Sequence, residues 1–288
     1  MKIEFKSVFF KYDNPMLISS GYQLEDISFS FGYDQLLGIT GSNGAGKTTL
    51  VQIMAGLQKP DAGEIIIRPP MSENRLDGGA DSNLFGIVFQ FPEMQLFEKT
   101  VADDIGFGPR QLGLPQVEVQ KRIFQAADRL HIKESLLERR IDQLSYGEKR
   151  KVAIAGVLAL HPQVLILDEP TAGLDPISAR LLQNMLQEIH GDGICIIIVS
   201  HDVDLLFDLT DRIIVLERGR LHLDFQTRDW EKCAGGMQEL LPLPRLLRLK
   251  RHINHAEASE LQAAITNTEF LRKAIEGRIV SSHSRSKM

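Results

Sequence analysis

The chain has 288 residues, 43% of them hydrophobic and 25% charged, and a net charge of −5; these are ordinary globular values, and the length suits one large α/β domain with an appendage or two modest domains. The acidic balance gives no general pull toward nucleic acid or anionic membranes, and the best apolar run, residues 194–199, falls far short of the about 18 residues of a membrane span. Cys195 and Cys233 form no metal or disulfide pattern, and the acid-bearing start Met1-Lys2-Ile3-Glu4-Phe5 has no secretory apolar region, which together fit a reducing, cytosolic compartment.

Residues 3–10 and 24–31 alternate or nearly alternate between apolar and polar, as half-exposed antiparallel strands do. Residues 36–40 form a continuous apolar run and predict a buried strand. Gly41-Ser42-Asn43-Gly44-Ala45-Gly46-Lys47-Thr48 follows, then Thr49 and a helical stretch to Ala55. This is G-x-x-x-x-G-K-T in the strand–loop–helix setting that the motif requires. Its glycines let successive N–H groups turn inward around β- and γ-phosphates, and the helix N-terminus adds its positive dipole end. Lys47 supplies a cation for those oxygens and Thr48 a hydroxyl for Mg²⁺. The loop implies a bound nucleoside triphosphate, with Gly41 through Thr49 expected among its contacts.

Residues 64–68 read as a strand after the turn 59–63, residues 69–82 as an exposed loop, and residues 84–89 as another buried strand. From 101 to 160 the texture is helical. Residues 117–130 are amphipathic, with Val117, Val119, Ile123, Ala127 and Leu130 expected on one face. Residues 164–167 are an apolar strand ending in Asp168 and Glu169, two acids at the edge where α/β folds bind ligands. Asp168 is expected to serve Mg²⁺ through water and Glu169 to polarise the attacking water. Ser145 is an N-cap for the helix that follows Leu144-Ser145-Tyr146-Gly147-Glu148, and Gly147 permits close backbone approach. Residues 194–199 form a further buried strand. From about Trp230 the chain changes: a Leu-Pro-rich hinge at 240–244, two helices at 245–253 and 257–279, and a tail expected to be disordered at 281–288. Arg245, Arg248, Lys250 and Arg251 read as a solvated helix face rather than a nucleic-acid contact.

With these motifs in order, residues 1–225 resemble an ATP-binding cassette (ABC) ATPase. Gln90 is similar to the family's Q-loop glutamine, Leu144 to Glu148 to its signature, Ala172-Gly173-Leu174-Asp175 to its D-loop and His201 to its switch histidine. Tyr12 resembles the aromatic that stacks on adenine, with Phe10 as a rival. The resemblance implies a P-loop NTPase (RecA-like) α/β core with an antiparallel β subdomain, an inserted helical subdomain at about 100–160, and a C-terminal helical extension. The cassette would span 1–229, and the extension, 230–280, would support dimerisation. It also implies a dimer that sandwiches two ATP molecules with Mg²⁺. Ser145, Gly147 and Glu148 would face the partner's nucleotide, Asp175 would lie in the D-loop, and His201 would sense the γ-phosphate. Gln90 would touch Mg²⁺ and link the nucleotide to a membrane partner. The signature departs from Leu-Ser-Gly-Gly-Gln at Tyr146 and Glu148, which predicts a slower or asymmetric composite site.

Residues 89–97, 100–109 and 152–159 are similar to the energy-coupling factor branch, whose members drive uptake of vitamins or of cobalt and nickel ions. That branch implies a transmembrane coupling subunit, a second ABC ATPase (identical or not) and a small substrate-capturing membrane protein, with this chain peripheral on the cytoplasmic face. Three alternatives stand beside it: the ATPase of an ordinary ABC importer, a soluble ABC-type ATPase acting on ribosomes or DNA, and an ATP-clamped structural subunit.

Overall fold

The structure, a computed structural model, describes residues 2–12, 22–32, 34–68, 84–91 and 94–230. The chain separates into two compact units, Met1–Leu241 and Pro242–Met288, and every described residue lies in the first. The expected loop 69–82, the hinge, the two C-terminal helices with their basic cluster, Cys233 and the tail all fall outside the described residues.

The first half of the chain carries β1 (Lys2–Phe10), β2 (Leu24–Gly32), β3 (Leu36–Gly41), α1 (Lys47–Met54), β4 (Ala62–Arg68), β5 (Phe85–Val88), α2 (Val101–Gln111), α3 (Gln116–Arg129) and α4 (Glu134–Leu137). The second carries α5 (Tyr146–Leu158), β6 (Val164–Asp168), α6 (Pro176–Gly191), β7 (Cys195–Val199), α7 (Val203–Leu209), β8 (Arg212–Glu217) and β9 (Arg220–Gln226).

Two sheets result. β2-β1-β4 is antiparallel. β1 buries Ile3 and Phe5, then Val8 and Phe10, and its pairing with β2 shifts between Phe5 and Val8, where Ser7 has φ 44°. That irregularity is why its alternation is imperfect: an extra residue swaps the faces of the strand. Phe5 stacks on Phe29 with ring centroids 4.7 Å apart, and these aromatics join the core under the second sheet.

The second sheet has the order β5-β6-β7-β3-β8-β9. Its first five strands are parallel and β9 returns antiparallel to β8. β6, β7 and β3 are buried along almost their whole length, as strands covered on both faces must be. Because they are parallel neighbours, the segments leaving their C-terminal ends (the loop after Gly41, Glu169, and Ser200-His201) emerge on one edge of the sheet. The hairpin of β8 and β9, which the sequence reading did not separate out, turns through Arg218 and Gly219, both at positive φ, as a tight twisted hairpin requires.

Between β5 and β6 the chain is helical, with α2 packed on α3 and α5. One expectation is corrected here. Val117 is 82% exposed, and the buried row of α3 is Val119, Ile123, Ala126 and Ala127, continued by Leu130. Two residues from Val119, at about 100° per residue, Val117 points to the opposite side of the helix. Trp230 is buried with Phe207 and Phe225, its ring centroid 5.2 and 5.3 Å from theirs.

Candidate nucleotide site

Gly41 ends β3 with φ 147°, and Gly46 precedes α1 with φ 96°. The loop between them is pinned by Ala45, whose N–H reaches the Ser42 carbonyl and whose carbonyl accepts from Gly219 N at 3.1 Å. α1 has no side-chain cap on its first-turn N–H groups, which leaves that end open to an anion. Gly44 faces open space, and Ser42, Asn43 and Thr48 are exposed. Lys47 Nζ donates to the Gly41 and Ser42 carbonyls at 2.8 and 3.0 Å. Partial burial lowers the Lys47 pKa, while the Glu169 and Asp168 carboxylates pull it back up. Burial is also the main reason the Asp168 pKa rises, to about 6; the Glu169 charge adds to the rise and Lys47 opposes it. Loop, ammonium and paired acids therefore form one electrostatic unit. Among the described residues no group of three or more His, Cys, Asp or Glu side chains could hold a metal. A divalent cation here would have to draw most of its ligands from hydroxyls, phosphate oxygens and water.

Glu169 is 8% exposed and has φ 49°. Its Oε2 accepts from Ser200 Oγ at 2.9 Å, its Oε1 from His201 N at 2.9 Å, and His201 Nδ1 lies 2.7 Å from Oε1. The carboxylate is thus aimed by β7, one strand away. The imidazole of His201 remains 75% exposed beyond it. Ser200 is a partner that the sequence reading missed; as the last residue of an apolar run, it reads as strand rather than as site.

Ser145 caps α5 as expected, and Glu148 closes a capping box: Glu148 Oε2 accepts from Ser145 N and Oγ, both at 2.8 Å. The Ser145 N–H and then its hydroxyl hold the Glu148 pKa below the ordinary carboxylate range. A cleft of about 210 Å³ opens beside this turn, lined by Ser145, Gly147, Glu148, Lys151, Leu174 and Ser178 among others. Asp175 caps α6, accepting from Ile177 N and Ser178 N at 3.0 Å.

Gln90 lies exposed just past β5. The apolar side chains after it, Phe91, Met94 and Phe97, are exposed on a tethered backbone. Gln95 Oε1 accepts from Phe89 N, and Asp104 Oδ1 accepts from Phe97 N and Glu98 N at 3.0 and 3.1 Å. At the other end of the chain Phe10 is 5% exposed and Tyr12 39%. Tyr12 OH lies 3.1 Å from Thr49 Oγ1 and donates to Gln52 Oε1 at 3.0 Å. Of the two rival aromatics, Tyr12 is the exposed one and the one bonded to α1. Thr49, expected among the nucleotide contacts, is buried against Tyr12.

The family model described as "ABC transporter" matches residues 24–172. The energy-coupling factor transporter ATP-binding protein EcfA2 of Caldanaerobacter subterraneus subsp. tengcongensis is 39% identical over 256 residues, covering 88% of this chain and 89% of that protein. The structure of cbiO1 from Clostridium perfringens, part of the ABC transporter complex cbiONQ, superposes with a TM-score of 0.69 at 34% identity, over 82% of this chain and 93% of that one. The dimeric ATP-binding cassette MJ0796, in a post-hydrolysis state with ADP and Pi, superposes with a TM-score of 0.66 at 26% identity, over 78% and 99%. On the loop, the paired acids and the capped signature turn, and on these likenesses, the chain belongs to the ABC transporter ATP-binding family, in its energy-coupling factor branch.

Proposed function

We propose that this chain hydrolyses ATP at the sheet edge as one half of a cassette dimer, and that this cycle powers import through a separate transmembrane coupling subunit. The observation that carries the reading is Glu169. It is a nearly buried carboxylate with one oxygen on Ser200 and the other on His201, electrostatically coupled to Lys47. Such a group can orient a water molecule and accept its proton while the loop holds the phosphates. Lys47 and the open N-terminus of α1 bind the β- and γ-phosphates, Tyr12 stacks on the base, and His201 reads the γ-phosphate. Thr48, Gln90 and, through water, Asp168 would hold Mg²⁺, which would supply neutralisation of the phosphate charge.

Ser145 and Gly147 serve the partner's nucleotide, so the second cassette completes each site; the likeness to a dimeric cassette supports this arrangement. The tethered apolar patch of Phe91, Met94 and Phe97 offers the coupling subunit a firm surface. Among the described residues no helix is long and apolar enough to cross a membrane; in this reading the chain sits peripherally at the cytoplasmic face, bound to the coupling subunit. The cargo in this reading is a vitamin or a transition-metal ion captured by a small membrane protein, as the resemblance to the energy-coupling factor branch implies.

Affinity purification from native membranes in mild detergent, with mass spectrometry and an ATPase assay on the product, tests this. A coupling-type membrane subunit, a small multi-span protein and Glu169-dependent turnover are expected. Two permeases with an external binding protein would move the chain to an ordinary importer, and ribosomes or no membrane protein would overturn the reading.

A further inference from the structure

Arg150 is the largest fully buried side chain among the described residues, at 2% exposure. A guanidinium stays charged at any working pH, so it is tolerated inside a protein only where its N–H groups are taken up. Here Nη1 donates to the Glu169 carbonyl at 2.7 Å, and Nη2 donates to the Gln90 carbonyl at 3.2 Å and to Tyr146 OH at 2.7 Å. The Tyr146 ring also lies under the guanidinium, 5.1 Å from Cζ to the centroid. All three acceptors are neutral, and Nε is left without a partner. This arrangement is costly for stability alone, and two of its three acceptors are the backbone carbonyls of the residues assigned to the attacking water and to Mg²⁺.

We propose that Arg150 is a positioning residue that fixes the Glu169 and Gln90 backbones from the signature helix, and that Tyr146 is present in the signature to hold the guanidinium in place. The inference rests on the ATPase reading above. Glu169 is held at two ends by different elements: its carboxylate by Ser200 and His201, its carbonyl by Arg150. With φ 49°, a conformation that side-chain-bearing residues adopt at a cost, it needs such a restraint to keep one orientation. Tyr146 also touches the D-loop. A Cβ at Gly173 would come within 3.3 Å of its ring, so the phenol is wedged between that turn and Arg150. A glycine at 146, as in the usual signature, supplies neither the hydroxyl nor the ring. The bulk at this position therefore replaces nothing at the phosphate and serves the residues behind it.

The test compares Tyr146→Phe, Arg150→Lys, Arg150→Met and the double variant Tyr146→Phe/Arg150→Lys in the purified membrane complex, with Glu169→Gln as the control. Tyr146→Phe deletes one hydroxyl and keeps the ring, so it should still fold, with its Tm lower by about 3–8 °C for the N–H left unsatisfied. Its kcat is expected to fall about five-fold with the KM for ATP within about two-fold, the signature of a group acting on the reacting geometry rather than on binding. Arg150→Lys, which keeps a donor, should be at least about three-fold faster than Arg150→Met, and the double variant no slower than Arg150→Lys alone, because both changes break one unit. Wild-type kcat in Tyr146→Phe, or losses in kcat, KM and Tm that run in parallel, would overturn the positioning role while leaving the ATPase reading intact. A wild-type complex without turnover, or Glu169→Gln turning over at the wild-type rate, would overturn the ATPase reading itself.

Discussion

Glu148 stands where a glutamine usually closes the signature, and its charge falls on Ser145. One oxygen, Oε2, accepts both the Ser145 N–H and its hydroxyl, with Arg139 Nη1 3.8 Å from the other oxygen. In the proposed dimer the partner's γ-phosphate needs that same hydroxyl. Charge-assisted bonds are about twice as strong as neutral ones, so the carboxylate competes harder than an amide. Glu148→Gln should therefore raise kcat by about two- to five-fold, equivalent to ~0.5–1 kcal/mol off the barrier; unchanged turnover would show that Ser145 is released at no cost. The competition has a pH sense. The folded pKa of Glu148 is depressed, so the capping contribution is complete above the ordinary carboxylate pKa and is lost as pH falls through the lower folded value. At neutral pH the box is fully closed. Cys195 makes a second prediction at this scale. Burial in β7 pushes its thiol up to about 12, and only the thiolate is reactive. Peptide mapping after iodoacetamide at pH 8 should find Cys195 unmodified in the native protein and modified once denaturant is added.

At the scale of elements, the ends matter more than the middles. α2 begins at Thr100, whose Oγ1 accepts from Asp103 N at 3.1 Å and donates to Asp103 Oδ2 at 2.7 Å. Thr100→Ala should cost about 1 kcal/mol, read as a Tm lower by about 2–4 °C with kcat per folded molecule unchanged. β3 ends at Gly41, where a Cβ would sit 2.1 Å from the Leu216 carbonyl of β8. Gly41→Ala should drive β3 and β8 apart and leave little folded protein, whereas Gly44→Ala, with open space around it, should fold with normal circular dichroism.

The same contrast explains what the sequence discloses. Residues 36–41, 164–168 and 195–199 are legible because a strand buried on both faces must be continuously apolar, and a polar residue at its end stands out. The Ser145 cap is legible because it is local to the helix it starts, whereas the reciprocal bond from Glu148 emerges only in the structure. Arg150 is not. It sits in the run Lys149-Arg150-Lys151, which reads as a solvated face, and two of its acceptors lie 19 and 60 residues away. Only its spacing of four from Tyr146 hints at a pair. The hairpin of β8 and β9 is hidden for another reason. β9 is mostly half-exposed, and its register is fixed across strands, where Asp224 accepts from Arg212 and pairs with it, and by the link from Arg220 to Glu25, neither of which is a local signal.

For the whole molecule the governing fact is that the phosphate loop and the signature turn each bond within their own segment. Lys47 bonds Gly41 and Ser42, Ser145 bonds Glu148, and among the described residues no hydrogen bond joins the two groups. Each has an open side: the uncapped start of α1 for one, the cleft beside Gly147 for the other. Ile177 and Leu181, on the first turns of α6 just past Asp175, are 75% and 49% exposed, an apolar surface next to that cleft and suited to a second cassette. If two chains close head to tail over ATP, closure depends on the nucleotide and ends when the γ-phosphate is cleaved. Glu169→Gln keeps the shape of the side chain and its link to Ser200 but removes the proposed base, so with MgATP it should accumulate as a species of twice the monomer mass by light scattering, in the isolated chain if it pairs with itself or with its partner cassette if it does not. Lys47→Ala placed in the same background should abolish that species, and chelating Mg²⁺ before ATP is added should prevent it. A Glu169→Gln protein that remains monomeric in both mixtures would mean that the open sides of the loop and the signature are not completed by a second cassette.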